Sequence, residues 1–164
     1  MKTIEDKLQS LPAEIKTALN AVAKKLETAG ASNGVWTKTI KKALMKVGND
    51  HGYVVCTSGV PKADWGEWLY DMCWLKHKKD KVYDIPINVP LIMESEWATN
   101  QEEIIVDFQK LLICKAQTKL LIFQDNADLV PYLKKSIKLW DDPAGTYLLA
   151  QYDNTRHVFQ YTIV

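Results

Sequence analysis

Long apolar runs are missing from this sequence. None approaches the roughly 20 residues that a bilayer-spanning helix needs, and Met1-Lys2-Thr3-Ile4-Glu5-Asp6-Lys7 is too polar for a secretory signal. Cysteine is scarce: Cys56, Cys73 and Cys114 are odd in number, widely spaced and set in apolar sequence, which excludes a disulfide framework and a zinc spacing. The histidines, His51, His77 and His157, are equally scattered. No base partner can be named for a nucleophilic cysteine or serine. Repeats, linkers and low-complexity tracts are also absent. The expectation is a soluble, cytoplasmic protein in a reducing compartment.

With 164 residues the chain is long enough to bury a real core as one domain. We divide it into an N-terminal helical segment (1–33), a core (34–124) and a helix plus C-terminal β-hairpin (125–164). The formal net charge of +1 conceals uneven placement. Lys76, Lys78, Lys79 and Lys81 cluster in one stretch, and Lys134, Lys135 and Lys138 in another, which suits a polyanion partner without demanding one.

Along the chain, Ser10-Leu11-Pro12 reads as the start of a helix with stripe Ile15, Leu19, Val22 and Leu26, stopped by Gly30. Trp36, Ile40, Leu44 and Val47 mark a second helix, with Lys38, Lys41, Lys42 and Lys46 on its remaining, solvated surface. Tyr53–Cys56 reads as a short strand, Glu67–Leu75 as a central strand apolar on both faces apart from its acids, and Lys76–Asp84 as a charged connection. Pro86 and Pro90 bound the entry to the next strand. A helix capped by Asn100, a buried strand Lys119–Gln124 and a helix capped by Asp128 follow, and the strand–helix–strand order implies a parallel crossover. Thr146–Tyr152 and His157–Val164 close the chain as two strands joined by Asp153-Asn154-Thr155-Arg156.

The most telling stretch is Val89-Pro90-Leu91-Ile92-Met93-Glu94-Ser95-Glu96, a strand-like apolar run ending in two acids. Strand side chains alternate, so Glu94 and Glu96 share a face and repel unless a cation or proton intervenes. If the Asp71 strand pairs with this one, Asp71 meets them across the ladder at roughly 5 Å. Hard oxygen ligands so grouped suit Mg²⁺ or Mn²⁺. An ionised Asp71 left unpaired among apolar neighbours costs several kcal/mol, and a salt bridge to a lysine or to Arg156 is the bland alternative. The bland reading of Glu94 and Glu96 is that they emerge into solvent as the strand ends. Trp65, Trp68, Trp74 and Trp97 flank the acids and read as core rather than as stacking platforms.

Residues 34–124, in the order helix, strand, strand with Asp71, strand with Glu94-Ser95-Glu96, helix, strand, resemble the PD-(D/E)XK nuclease superfamily. That resemblance implies an α/β restriction-endonuclease-like fold with a mixed central β-sheet flanked by helices. Its members carry an acid on the second strand and acid-x-lysine on the third; Asp71 and Glu94 match the acids, and Glu96 stands where the lysine would be, as in the Glu-x-Glu variants. Lys110, on the next helix, is the candidate for a migrated lysine. The resemblance implies a metal-dependent endonuclease acting on a phosphodiester, DNA more readily than RNA. Asp71, Glu94 and the Ser95 backbone carbonyl would hold Mg²⁺ or Mn²⁺, with Glu96 orienting water or helping with a second ion and Glu67 a further contributor there. Lys76, Lys78, Lys79 and Lys81 would contact phosphates. A homodimer would serve to cut both strands of a duplex. Two alternatives stand beside this: a catalytically inactive nuclease-fold binding or regulatory protein, and a small subunit of a bacterial or phage assembly. No element that reaches into a DNA groove can be read from the residues.

Overall fold

The computed structural model describes residues 4–27, 30–126, 128–140 and 145–164, with side chains from residue 11 onward. Helices α1 (Ile4–Leu26) and α2 (Asn33–Asp50) precede strands β1 (Val54–Thr57), β2 (Met72–Lys79) and β3 (Asp84–Glu96). Helix α3 (Gln101–Ile113), strand β4 (Thr118–Gln124), helix α4 (Leu129–Trp140) and strands β5 (Thr146–Asp153) and β6 (Val158–Ile163) complete the chain. The strands form one sheet in chain order, β1 to β6. Pairing is antiparallel from β1 to β3, parallel from β3 through β4 to β5, and antiparallel again for β6. The protein is thus α/β, a six-stranded mixed sheet flanked by helices.

Alternation along the central strands divides the core in two. Met72, Trp74, Leu91, Met93, Leu120 and Ile122 face α1 and α2, against Ile15, Leu19, Ile40 and Leu44. Cys73, Ile92, Leu121, Phe123 and Leu149 face α3 and α4, against Ile104, Phe108, Leu111 and Leu133. Strand β4 is buried over Thr118–Phe123, as expected for a strand with helices on both sides. Asn100 caps α3 by accepting from the Glu102 backbone N–H at 3.0 Å, and Glu102 and Glu103 occupy its first turn. No helix among the described residues is long and apolar enough to cross a membrane.

Several boundaries differ from the sequence reading. Helix α1 starts at Ile4, so Pro12 lies inside it rather than opening it, and it ends at Leu26; the Ser10 side chain falls outside the described residues. The Asp71 strand begins only at Met72, and Glu67, Trp68 and Leu69 are exposed. The cause is the shortness of β1: its last pair is Thr57 with Met72, so the chain before Met72 has no ladder on that side beyond one Cys56–Trp65 bridge.

Lys76–Lys79 belong to β2 and pair with β3, so the expected charged connection shrinks to residues 80–83. Pro86 and Pro90 lie within β3 rather than bounding it. They are tolerated because β4 pairs with β3 only from Leu91 onward, which leaves that edge free of ladder hydrogen bonds over the preceding residues.

Gly48 illustrates how closely α2 approaches the sheet. A Cβ built there would sit 2.9 Å from Trp74 Cε2 and Nε1 and from Val55 Cγ2, and Trp74 and Val55 are both fully buried. Glycine in a helix interior ordinarily costs about 1 kcal/mol relative to alanine, but overpacking a filled core costs roughly 1–3 kcal/mol. Gly48→Ala is therefore expected to destabilise. Gly34→Ala, with nothing within 4 Å of its new Cβ, should be neutral or stabilising by up to about 1 kcal/mol. Urea denaturation of both variants checks the opposite signs.

Candidate active site

The acids are brought together by register. Met72 pairs with Met93 and Cys73 with Ile92, so Asp71, one residue ahead of β2, faces Glu94 across the ladder. Its backbone N–H points to Glu94 Oε2 at a long 3.4 Å. Two residues beyond Ile92, Glu94 lies on the α3 face of the sheet and is 3% exposed. Asp71 is half-buried at the rim. Its Oδ2 accepts from both the Ser95 backbone N–H and the Ser95 hydroxyl, each at 2.9 Å, while its own carbonyl accepts from the Thr57 hydroxyl.

Each acid has its own lysine, delivered from opposite layers. Lys41 Nζ on α2 lies 3.0 Å from Asp71 Oδ1 and 3.5 Å from Glu67. Lys110 Nζ on α3 lies 3.3 Å from Glu94 Oε1 and 2.7 Å from Asp107. The Lys110–Glu94 approach is electrostatic rather than a well-aligned hydrogen bond, since Glu94 Oε1 is buried without a hydrogen-bond partner. Burial, then the Asp107 carboxylate and more weakly Asp71, raise the Glu94 carboxyl from 4.5 to about 7, against the opposing pull of Lys110. The hydrogen bond to Asp107 holds Lys110 above the ordinary lysine value. The site therefore holds a carboxyl that titrates near neutrality beside a persistent ammonium, the kind of perturbation that functional sites collect.

Of the residues expected at the site, Asp71, Glu94 and Lys110 converge, and Glu67 joins them through Lys41 from an exposed loop rather than from a strand face. Ser95 joins through its side chain and N–H. Glu96 shares the Glu94 face but is half-exposed, and its Oε1 accepts from the Ala98 backbone N–H at 2.6 Å. It lines a cleft of about 410 Å³ with Asn100, Glu102, Glu103, Val106 and Asp107. Lys76, Lys78 and Lys79 lie along β2, leading away from Asp71, with Lys81 in the turn beyond. At about 3.3 Å per residue, Lys76 is roughly 16 Å and Lys79 roughly 26 Å along the strand from Asp71. The lysine cluster thus belongs to the opposite end of the sheet.

The sequence places Lys41 with the solvated lysines of α2, yet it is 5% exposed while Lys38, Lys42 and Lys46 are exposed. A signal existed: Lys41, Leu44 and Gly48 follow the i, i+3, i+7 spacing of the buried stripe. Arg156 pairs with Asp153, not with Asp71. Trp74 and Trp97 are core, but Trp65 and Trp68 are exposed and stack on each other with centroids 5.7 Å apart. Burial raises the thiols of Cys56 and Cys73, the latter to about 12, so neither is a thiolate nucleophile near neutrality. Among the described residues, no group of three or more His, Cys, Asp or Glu side chains is arranged to hold a metal ion.

No family model, curated protein or solved structure matches the chain.

Glu94 makes stability depend on pH with a definite sign. Its folded-state value lies above 4.5, so the cost of its buried charge is absent below about pH 4.5, grows as the unfolded chain ionises, and is complete above about pH 7. At about 1.4 kcal/mol per pH unit this approaches roughly 3 kcal/mol. In metal-free buffer, the stability of Glu94→Gln relative to wild type should rise by up to that amount between about pH 4 and about pH 8, read from urea midpoints. A pH-independent difference would show that Glu94 titrates as an ordinary glutamate.

Proposed function

We propose that the protein is a metal-dependent endonuclease-like phosphodiesterase of restriction-endonuclease-like architecture, acting on DNA in preference to RNA. The observation that carries this reading is the opposition of Asp71 and buried Glu94 across the β2–β3 ladder, at the end of the sheet where β3 leads into α3. The order α2, β1, β2, β3, α3, β4, with an antiparallel trio followed by a parallel crossover, supports it.

Asp71 and Glu94 supply the hard oxygen donors that a divalent cation takes, though among the described residues no third acid joins them in a metal-holding group. Glu94 Oε1 is a buried carboxylate oxygen with the Lys110 ammonium 3.3 Å away but no aligned hydrogen bond, and Asp71 adds a second carboxylate whose Oδ1 faces the Lys41 ammonium. Mg²⁺ or Mn²⁺ would be held by Asp71, Glu94 and the Ser95 carbonyl, with Glu96 and Glu67 as outer contributors. Such an ion would supply a water of lowered pKa and charge stabilisation at the scissile phosphate.

The chain's own residues do the rest. The Ser95 N–H and hydroxyl fix the Asp71 carboxylate, leaving Oδ1 as its reactive edge. Lys110 stays protonated beside Glu94 and can steady negative charge developing on a phosphoryl oxygen. Glu94 must be ionised to serve as a ligand, so metal binding would release the proton that burial otherwise favours on its carboxyl.

A second reading, a catalytically inactive binding or regulatory protein that keeps this architecture, is favoured by one observation: Lys41 and Lys110 already neutralise both acids. A role as a small subunit of a larger assembly is a form of that reading.

The test is nicking of supercoiled plasmid in Mg²⁺, Mn²⁺ or EDTA. Metal-dependent cleavage is expected, with Asp71→Ala and Glu94→Ala each slowing it roughly a thousandfold or more, equivalent to about 4 kcal/mol of transition-state stabilisation. Folded wild type that cuts neither this plasmid nor single-stranded DNA in either metal selects the second reading.

A further inference from the structure

The exposed segment ahead of β2 carries apolar surface, as does the β2–β3 hairpin with Val82, Tyr83, Ile85 and Ile87, but only the former lies next to the acids. Trp65 and Trp68 are 45% and 55% exposed and Leu69 is 77% exposed. Leaving such groups in water forgoes burial energy that a packed loop would gain, so a patch of this kind marks a place where something binds. Trp68 stacks on Trp65, and the pair is extended by His77, whose ring lies 5.5 Å from Trp65. The same Trp68 forms one wall of a pocket of about 240 Å³, closed by Tyr70, Cys73, Val89 and Ile92, with exposed Lys115 at its rim.

The position of this pocket is what identifies its occupant. Cys73 and Ile92 on its floor are ladder partners, and the next pair on the same face is Asp71 and Glu94. The pocket therefore begins one step of roughly 7 Å from the carboxylates, about the reach from a phosphate to the base it carries. Its volume lies below the roughly 300–1,000 Å³ of sites for drug-sized ligands and suits a single planar ring system. Its lining is mostly apolar and aromatic with the exposed cation Lys115 among it, and Lys110 stands beside Glu94.

We infer that this pocket takes an unpaired nucleobase, with Trp68 as its stacking platform, so that the substrate is single-stranded DNA or a strand end splayed from its duplex. This rests on the phosphodiesterase reading for the chemistry, though not for the binding. In an intact duplex both faces of every base are covered by its neighbours, so a base must leave the stack to enter. Stacking on an exposed indole is indifferent to base identity, because every base offers a π-face. The pocket thus confers preference for strandedness rather than for sequence, in keeping with a chain whose charged hairpin, Lys76–Lys81, lies far from the acids.

The experiment measures fluorescence anisotropy of a labelled oligothymidylate in EDTA, where cleavage does not intervene. The strand is tested alone and annealed to its complement, with size-exclusion chromatography of the same samples. Wild type should bind the single strand at least tenfold more tightly than the duplex. Trp68→Ala should weaken single-strand binding roughly tenfold or more, and Trp68→Phe should restore most of it; Trp68 is exposed, and circular dichroism verifies that both variants fold. Equal affinity for both forms overturns the inference, as does single-strand binding untouched by Trp68→Ala. So does a Trp68→Ala effect confined to self-association, which would make the patch an interface between copies. Trp68-dependent binding without metal-dependent cleavage leaves the pocket assigned and removes the nuclease chemistry; cleavage indifferent to Trp68 does the reverse.

Discussion

Two carboxylates cannot both be charged, opposed across a β-ladder and largely dry unless cations or protons compensate them. Asp71 and Glu94 are in that situation, and the surrounding structure can be read as the compensation. Lys41 is threaded through the buried stripe of α2 to reach Asp71, and Lys110 extends from α3 to reach Glu94. Ser95, the residue after Glu94 on β3, turns its N–H and hydroxyl onto Asp71. The remaining imbalance appears as a raised Glu94 carboxyl, because burial and the nearby Asp107 outweigh what one partly exposed ammonium returns.

This arrangement depends on β3. It pairs antiparallel with β2 and parallel with β4, and its alternating side chains feed both halves of the core, Leu91 and Met93 on one face and Ile92 on the other. Register is therefore strongly specified: a slip of one residue would exchange Met93 for Glu94 across the sheet and strand a carboxylate under α2. The buried acid that makes the site chemically interesting is held in place by apolar packing on either side of it.

The sheet's periphery follows a different logic. Because β1 has only four residues and β4 meets β3 only from Leu91, the far half of the β2–β3 hairpin and the loop ahead of β2 lack neighbours. The hairpin's lysines and prolines protect its free edges against adventitious pairing. The hairpin also exposes Val82, Tyr83, Ile85 and Ile87, while the loop exposes Trp65, Trp68 and Leu69. Identical residue types thus acquire opposite fates, since Trp74 and Trp97 lie under helices and the other two do not.

The sequence by itself determined the element order, the α/β class, the Asn100 cap and the acids Asp71 and Glu94 as a pair. Those features follow from local periodicity and from the cost of placing charge in apolar runs, both of which act over a few residues. Tertiary structure alone decided how far each strand extends, since Glu67–Asp71 is as apolar as a central strand but finds no ladder partner along most of its length. It also decided which lysines matter. The spacing of Lys41 puts it on the buried stripe of α2, but only the packing of α2 against the sheet sets it against Asp71. Lys76–Lys81, conspicuous in one dimension, are carried away from the acids by the direction of β2. Charge partners are chosen by distance in space, which no local pattern records.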